Sequence, residues 1–191
     1  MKRERKAFGE YLDLKLRRLL DRLHFLDEIG AHLGLTRLYG RAAPGKRVVE
    51  GTPGYSGPHY SIIAALSQAG VSAPWILAGA MDGAAFRAYV EHELAPTLQP
   101  GDIVIVDNLS AHKDAQARAC IEARGAQVVF LPPYSPDFNP IELCWAKVKQ
   151  ALRTAKARTF DELLAALRAA LLSVTTEHAL AWFAHCGYQP A

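Results

Sequence analysis

Apolar residues recur at helical spacing through the start of the chain. Phe8, Leu12, Leu16, Leu19 and Leu20 fall on one side, with Lys, Arg and Asp on the other. The spacing predicts an amphipathic N-terminal helix within residues 1–22. The period then changes. Residues 23–27 form an apolar run of the kind a buried strand carries, and residues 36–39 and 47–50 read as short strands around the turn-rich Ala43-Pro44-Gly45-Lys46. Residues 61–66 and 75–80 follow as strands, separated by Gly70 and Pro74.

From Asp82 onward, helical and strand patterns alternate. A helix over Phe86, Val90 and Leu94 is broken by Pro100-Gly101, residues 103–107 form a strand, and a helix over 113–124 stops at Gly125. Residues 128–131 are the last strand, which runs into a stiff proline-rich loop at 132–140 and then a helix over 140–153. Two further helices are predicted, at 160–172 behind the capping-box pattern Thr159-x-x-Glu162 and at 177–185 ended by Gly187. Strands first, then helix and strand in alternation, predict an α/β fold: a mixed sheet, antiparallel early and parallel late, flanked by helices. In such sheets ligands collect outside the carboxyl ends of the parallel strands, where Asp107 falls.

At 191 residues, half of them apolar, the chain is expected to form one core. The expected division is a helical segment at 1–22, a sheet-bearing body at 23–155 and C-terminal helices at 156–191 packed on that body. No apolar run approaches the ~20 residues that span a bilayer and no leader pattern opens the chain, so a soluble cytoplasmic protein with no membrane partner is expected. Cys120, Cys144 and Cys186 are odd in number and widely spaced, which supports neither a disulfide framework nor a zinc site.

The net charge of +3 conceals a pattern: residues 1–22 hold eight Lys/Arg against four Asp/Glu, and residues 147–168 hold six against two. The stretch between them, 23–146, carries eight basic against twelve acidic side chains. An acidic centre between basic flanks suits a site that binds cations and then a polyanion, although basic residues also simply solvate amphipathic helices.

Three carboxylates stand out. Asp27 and Asp107 close apolar runs, and Glu142 lies in the first turn of a predicted helix. Hard oxygen donors of this kind suit magnesium-type ions, a pair of which can clamp the attacking and leaving oxygens of a displacement at phosphorus. Glu28 is the alternative to Asp27, because successive strand residues face opposite sides. Glu142 has a structural rival reading, since Asn139 at the N-cap and Pro140 at the first helical position make Glu142 the third residue of a capping box. Asp137 is a second acid on the same loop. Asn108 and His112 follow Asp107 in a polar loop, where the histidine either orients a phosphate or water or decorates the surface. Lys147, Lys149, Arg153 and Lys156 follow Glu142 on or just after its helix and Lys113 lies near Asp107, which makes these five the candidate DNA-binding cations. Pro-Pro-Tyr at 132–134 lacks the polar residue an adenine methyltransferase has before it, and no phosphate-binding Gly-x-x-x-x-Gly-Lys is present.

The segments Phe-Leu-Asp-Glu at 25–28, Val-Ile-Val-Asp-Asn-Leu-Ser-Ala-His-Lys at 104–113 and Leu-Pro-Pro-Tyr-Ser-Pro-Asp-Phe-Asn-Pro-Ile-Glu at 131–142 closely resemble the catalytic domain of DDE transposases. More narrowly, they resemble the bacterial insertion-sequence branch of the mariner superfamily, whose spacing between the second and third acids this chain shares. The resemblance implies a ribonuclease H-like fold and metal-dependent cleavage at transposon ends followed by strand transfer. It implies two Mg2+ ions, or Mn2+, with Asp27 bridging them and Asp107 and Glu142 each completing one. The implied partners are double-stranded DNA, both element ends and target, and a second copy of the chain in a synaptic homodimer. Only 26 residues precede Asp27, room for one helix, so a separately encoded helix-turn-helix subunit or a truncated copy is expected. A stand-alone nuclease of this fold, or an inactive DNA-binding remnant, is the alternative.

Overall fold

The first strand of the chain is the middle strand of the sheet. In the computed structural model, which describes residues 2–190, β1 (Leu23–His32) lies between β2 (His59–Ser67) and β4 (Ile103–Val106), with β3 (Gly70–Ala78) and β5 (Gln127–Phe130) at the edges. The order is β3-β2-β1-β4-β5, antiparallel through β1, β2 and β3 and parallel through β1, β4 and β5. All four residues of β4 are buried, as expected of a central parallel strand with both faces covered.

Each face of the sheet has its own core. Phe25, Ile29, Ile103 and Ile105 pack against α1 (Lys2–Leu14), α4 (Pro140–Ala155), α5 (Phe160–Leu172) and α6 (Thr176–His185) through Phe8, Leu12, Trp145, Leu163 and Phe183. On the other face, Leu26, Ile63, Val104 and Val106 meet α2 (Gly83–Tyr89) and α3 (Ala115–Glu122) through Phe86, Tyr89, Ala117 and Ile121. Thr159 caps α5 in a true capping box with Glu162, as its pattern predicts. Among the described residues no single helix is long and apolar enough to cross a membrane.

Several elements differ from the sequence reading. The N-terminal helix ends at Leu14 and continues as two 3-10 turns, Leu16–Arg18 and Leu20–Arg22. A strict four-residue spacing drifts by about 40° per step on an α-helix, so an unbroken helix would carry Leu20 well away from the face of Phe8; the break returns Leu16 and Leu20 to the core. The short strands expected at 36–39 and 47–50 are absent. β1 runs five residues past Asp27 and pairs with β2 as far as His32, which leaves 33–58 to connect the two strand ends with Leu38, Tyr39 and Val49 exposed. That segment joins no ladder; Leu33 and Leu35 at its start pack against the core, and the positions predicted as strands beyond them have no face covered.

Candidate active site

The register of the sheet brings the first two acids together. The last parallel pair between β1 and β4 is Leu26 with Val106, so the next residue on each strand is Asp27 and Asp107. Side chains alternate along a strand, and Asp27 therefore shares the face of Phe25 and Ile29, toward α4. Glu28 points to the opposite side. Helix α4 buries Ile141, Cys144, Trp145, Val148 and Leu152 against the sheet, and this fixes its rotation so that Glu142 in its first turn stays exposed and faces the strand ends. Asp27, Asp107 and Glu142 line one cavity of about 500 Å³, together with Asn108, Leu109, Lys113, Tyr134 and Asn139.

The capping box available to Glu142 is not formed. Asn139 makes no side-chain capping bond, and its backbone N–H donates to Pro136 O at 2.9 Å within the 3-10 turn Pro136–Phe138, so no N–H remains for the glutamate to reach. Glu142 makes no side-chain hydrogen bond or ion pair among the described residues. Asn139 is itself buried, with its Oδ1 unpartnered at the cavity wall.

His112 is not surface decoration. It is 3% exposed, packs on Phe86 with ring centroids 4.6 Å apart, and joins two carboxylates: Nδ1 lies 2.6 Å from Asp107 Oδ1 and Nε2 lies 3.1 Å from Glu28 Oε2. Burial opposes its charge, but these two hydrogen bonds prevail and hold it protonated up to about 9. Asp107 feels burial in the opposite sense, yet hydrogen bonds from His112 and from the Leu109 N–H keep it below the usual carboxylate range. Both bonds fall on Oδ1, which leaves Oδ2 for the cavity.

Asp27 has no such partner. Burial, then the charges of Glu142, Glu28 and Asp107, push its carboxyl up to about 8 against a single backbone hydrogen bond from Glu28. A buried acid opposed by three others has no cation paired with it, and the donor set is all hard oxygen, so the residues fit a magnesium-type cation. Among the described residues no three His, Cys, Asp or Glu side chains are drawn close enough to hold a metal ion as they stand.

The remaining candidates divide. Asp137 is engaged elsewhere: Arg5 donates to both of its oxygens at 3.0 and 2.7 Å, and to Ser135 Oγ at 2.7 Å. Nothing local marks Arg5, since the interaction spans 132 residues of sequence. Lys113 and Asn108 both line the cavity. Lys149 and Arg153 continue the helical face of Glu142 and make no hydrogen bond or ion pair among the described residues, whereas Lys147 donates to Ser173 O at 2.8 Å and Lys156 pairs with Glu50. At 3.6 residues per turn Lys147 sits about 140° around the helix from Glu142, which turns it toward α6 instead of the cavity.

The model of the DDE superfamily endonuclease family matches residues 22–164. No curated protein matches the sequence. Among solved structures, a pre-cleavage Mos1 transpososome is similar over all of this chain and 60% of its own, at 17% identity and a TM-score of 0.75. A Mos1 mariner paired-end complex with Mn is similar over the same shares at 18% identity and 0.72. The catalytic domain of Mos1 mariner transposase is similar over 100% of this chain and 90% of its own, at 16% identity and 0.69. The chain thus spans about 60% of the longer Mos1 chains, and at these identities the likeness establishes the ribonuclease H-like fold. With three quarters of its length matched by the family model, the chain belongs to the DDE superfamily endonucleases.

Proposed function

We propose that this chain is the catalytic domain of a cut-and-paste transposase, acting on duplex DNA at the ends of a mobile element. The observation that carries the reading is the meeting of Asp27, Asp107 and Glu142, from two strands and a helix start, at one cavity in which the Asp27 anion is opposed by its neighbours. Two Mg2+ or Mn2+ ions would be held there by Asp27, Asp107 and Glu142, and when bound would stabilise charge on the attacking and leaving oxygens at phosphorus. The protein's own part is to position. His112 fixes the orientation of Asp107, the N-terminus of α4 adds its positive end at Glu142, and Lys113 offers a cation to a phosphate at the rim. A water oxygen replaces the strand's 3′ oxygen at phosphorus, and the released 3′-hydroxyl then attacks a phosphodiester of target DNA, expelling another 3′ oxygen.

A homodimer holding two element ends, and a helix-turn-helix partner that reads their sequence, complete the proposal. The test is to incubate the chain with supercoiled plasmid and with pre-cut duplex ends in Mg2+ or Mn2+. Nicking together with joined products is expected. Nicking without joining would favour a stand-alone nuclease, and DNA binding without either would make the chain a non-catalytic remnant.

A further inference from the structure

Tyr134 stands at the rim of the catalytic cavity with its side chain turned to solvent. It is 87% exposed and has φ of 54°, a left-handed conformation that a bulky L residue adopts only under constraint from its surroundings. The constraint is visible. Arg5 donates to Tyr134 O at 3.3 Å and to Ser135 Oγ at 2.7 Å, Ser135 Oγ donates to Pro133 O at 3.2 Å, and Pro132, Pro133 and Pro136 stiffen the loop on both sides. Arg5 is in turn seated over the Phe138 ring, 5.1 Å from its centroid, and locked onto Asp137. The loop thus commits backbone strain and this set of donated hydrogen bonds to a ring that, among the described residues, packs on no other aromatic ring and whose hydroxyl makes no hydrogen bond.

The same cavity is lined by Leu109, 48% exposed, by Lys113 and by the three carboxylates. Acids suited to cations and a lysine suited to a phosphate line one cavity, and an aromatic side chain on a held backbone stands at its rim. That combination matches the repeating chemistry of a nucleic-acid strand, in which a phosphate and a flat base alternate. The face of a paired base is covered by its neighbours in the duplex, so only an unstacked base can meet the ring.

We infer that Tyr134 is the stacking platform for one unpaired base of the strand being cut, next to the phosphate at the carboxylates, with Arg5 holding the platform in place. This rests on the reading of the site as DNA-cleaving. It assigns the site a preference for locally opened strands, which neither the carboxylates nor the basic helix face supplies.

The full chain should be titrated in calcium buffer with a single-stranded oligonucleotide carrying 2-aminopurine and, separately, with a fully paired duplex. Wild type is expected to quench the 2-aminopurine. Tyr134→Asn, which keeps a residue tolerant of the left-handed backbone, is expected to lose the quenching and to bind the single strand about 5 to 100 times more weakly. Its melting temperature should be unchanged or higher. Tyr134→Phe should restore both signals to within about twofold, and duplex affinity should change less than about twofold in either variant. Equal quenching and single-strand affinity in Tyr134→Asn would overturn stacking and leave the DNA reading intact. Equal losses on single strand and duplex would make Tyr134 a general DNA-binding side chain and overturn stacking as well. Wild type that binds neither nucleic acid would overturn both readings.

Discussion

His112 Nδ1 lies 2.6 Å from Asp107 Oδ1, and the same ring reaches Glu28 on the neighbouring strand. The histidine therefore ties the carboxyl end of β4 to β1 and decides which oxygen of Asp107 faces the cavity. Outer partners of this kind orient a ligand without touching the metal, and their loss costs about 10 to 100 fold in metal affinity or activity. His112→Ala is expected to weaken Mn2+ binding, read by calorimetry, by that factor and to lower the melting temperature, because Glu28 and Asp107 lose the cation between them. Unchanged Mn2+ affinity would make the ring a packing element only.

Asp107→Asn and Glu142→Gln each keep shape and remove charge. Both are expected to lower DNA cleavage by at least about a thousandfold, or ~4 kcal/mol of barrier. DNA affinity should hold or rise. Glu28→Gln and Asp137→Asn are the comparisons and should be milder, since Glu28 acts through His112 and Asp137 through Arg5. Cleavage within tenfold of wild type for either of the first pair would remove that residue from the site.

The sheet is legible in the sequence because the chain alternates strands and helices in a way that few topologies satisfy, and Asp107 is legible because four consecutive β-branched residues lead to it. Asp27 and Glu28 are harder to separate, since the choice depends on which face β1 gives to α4. Interactions across the fold have no local signature. His112 is polar and sits in a loop, yet it is buried because α2 lays Phe86 over it. Arg5 reads as one more solvating charge on a basic helix, although it fixes the loop that carries Tyr134 and leads to Glu142. The capping box is the converse case: the spacing is right, but a 3-10 turn has already taken the Asn139 N–H.

Without metal, stability should fall as pH rises. Asp27 has a folded pKa raised from 3.8 to about 8, so the folded state binds the extra proton; its contribution is complete below about pH 4 and is lost as pH rises through 8. His112, raised from 6.5 to about 9, adds a loss in the same direction over its own range. The slope should reach at most about 1.4 kcal/mol per pH unit for each proton released. Thermal melts in chelator between pH 5 and 8 should show the decline. Mg2+ or Mn2+ should oppose it by binding the folded state alone, and Asp27→Asn in chelator should be more stable than wild type at the alkaline end. A flat profile for wild type would mean that the Asp27 carboxyl is not opposed by its neighbours.

The basic residues after Glu142 separate by helical face. Lys149 and Arg153 lie along the face of Glu142 and make no hydrogen bond or ion pair among the described residues, while Lys147 donates to the carbonyl of Ser173 beside His178 and Lys156 is paired with Glu50. A cation that neutralises a phosphate displaces counterions, and on duplex DNA each such neutralisation adds about 0.9 to the slope of log affinity against log salt. Replacing Lys149 and Arg153 together by Ala should therefore flatten that slope by nearly two, with fold and metal binding retained. Replacing Lys147 by Ala should leave the slope unchanged and lower stability by about 0.5 to 1.5 kcal/mol, the worth of a typical hydrogen bond. A change of slope in the Lys147 variant, or none in the double variant, would reverse the assignment of the two faces. Phosphate interactions carry no sequence information, so the affinity measured should not distinguish element ends from other duplex. Tight, end-specific binding by the chain alone would show that it reads sequence without a helix-turn-helix partner.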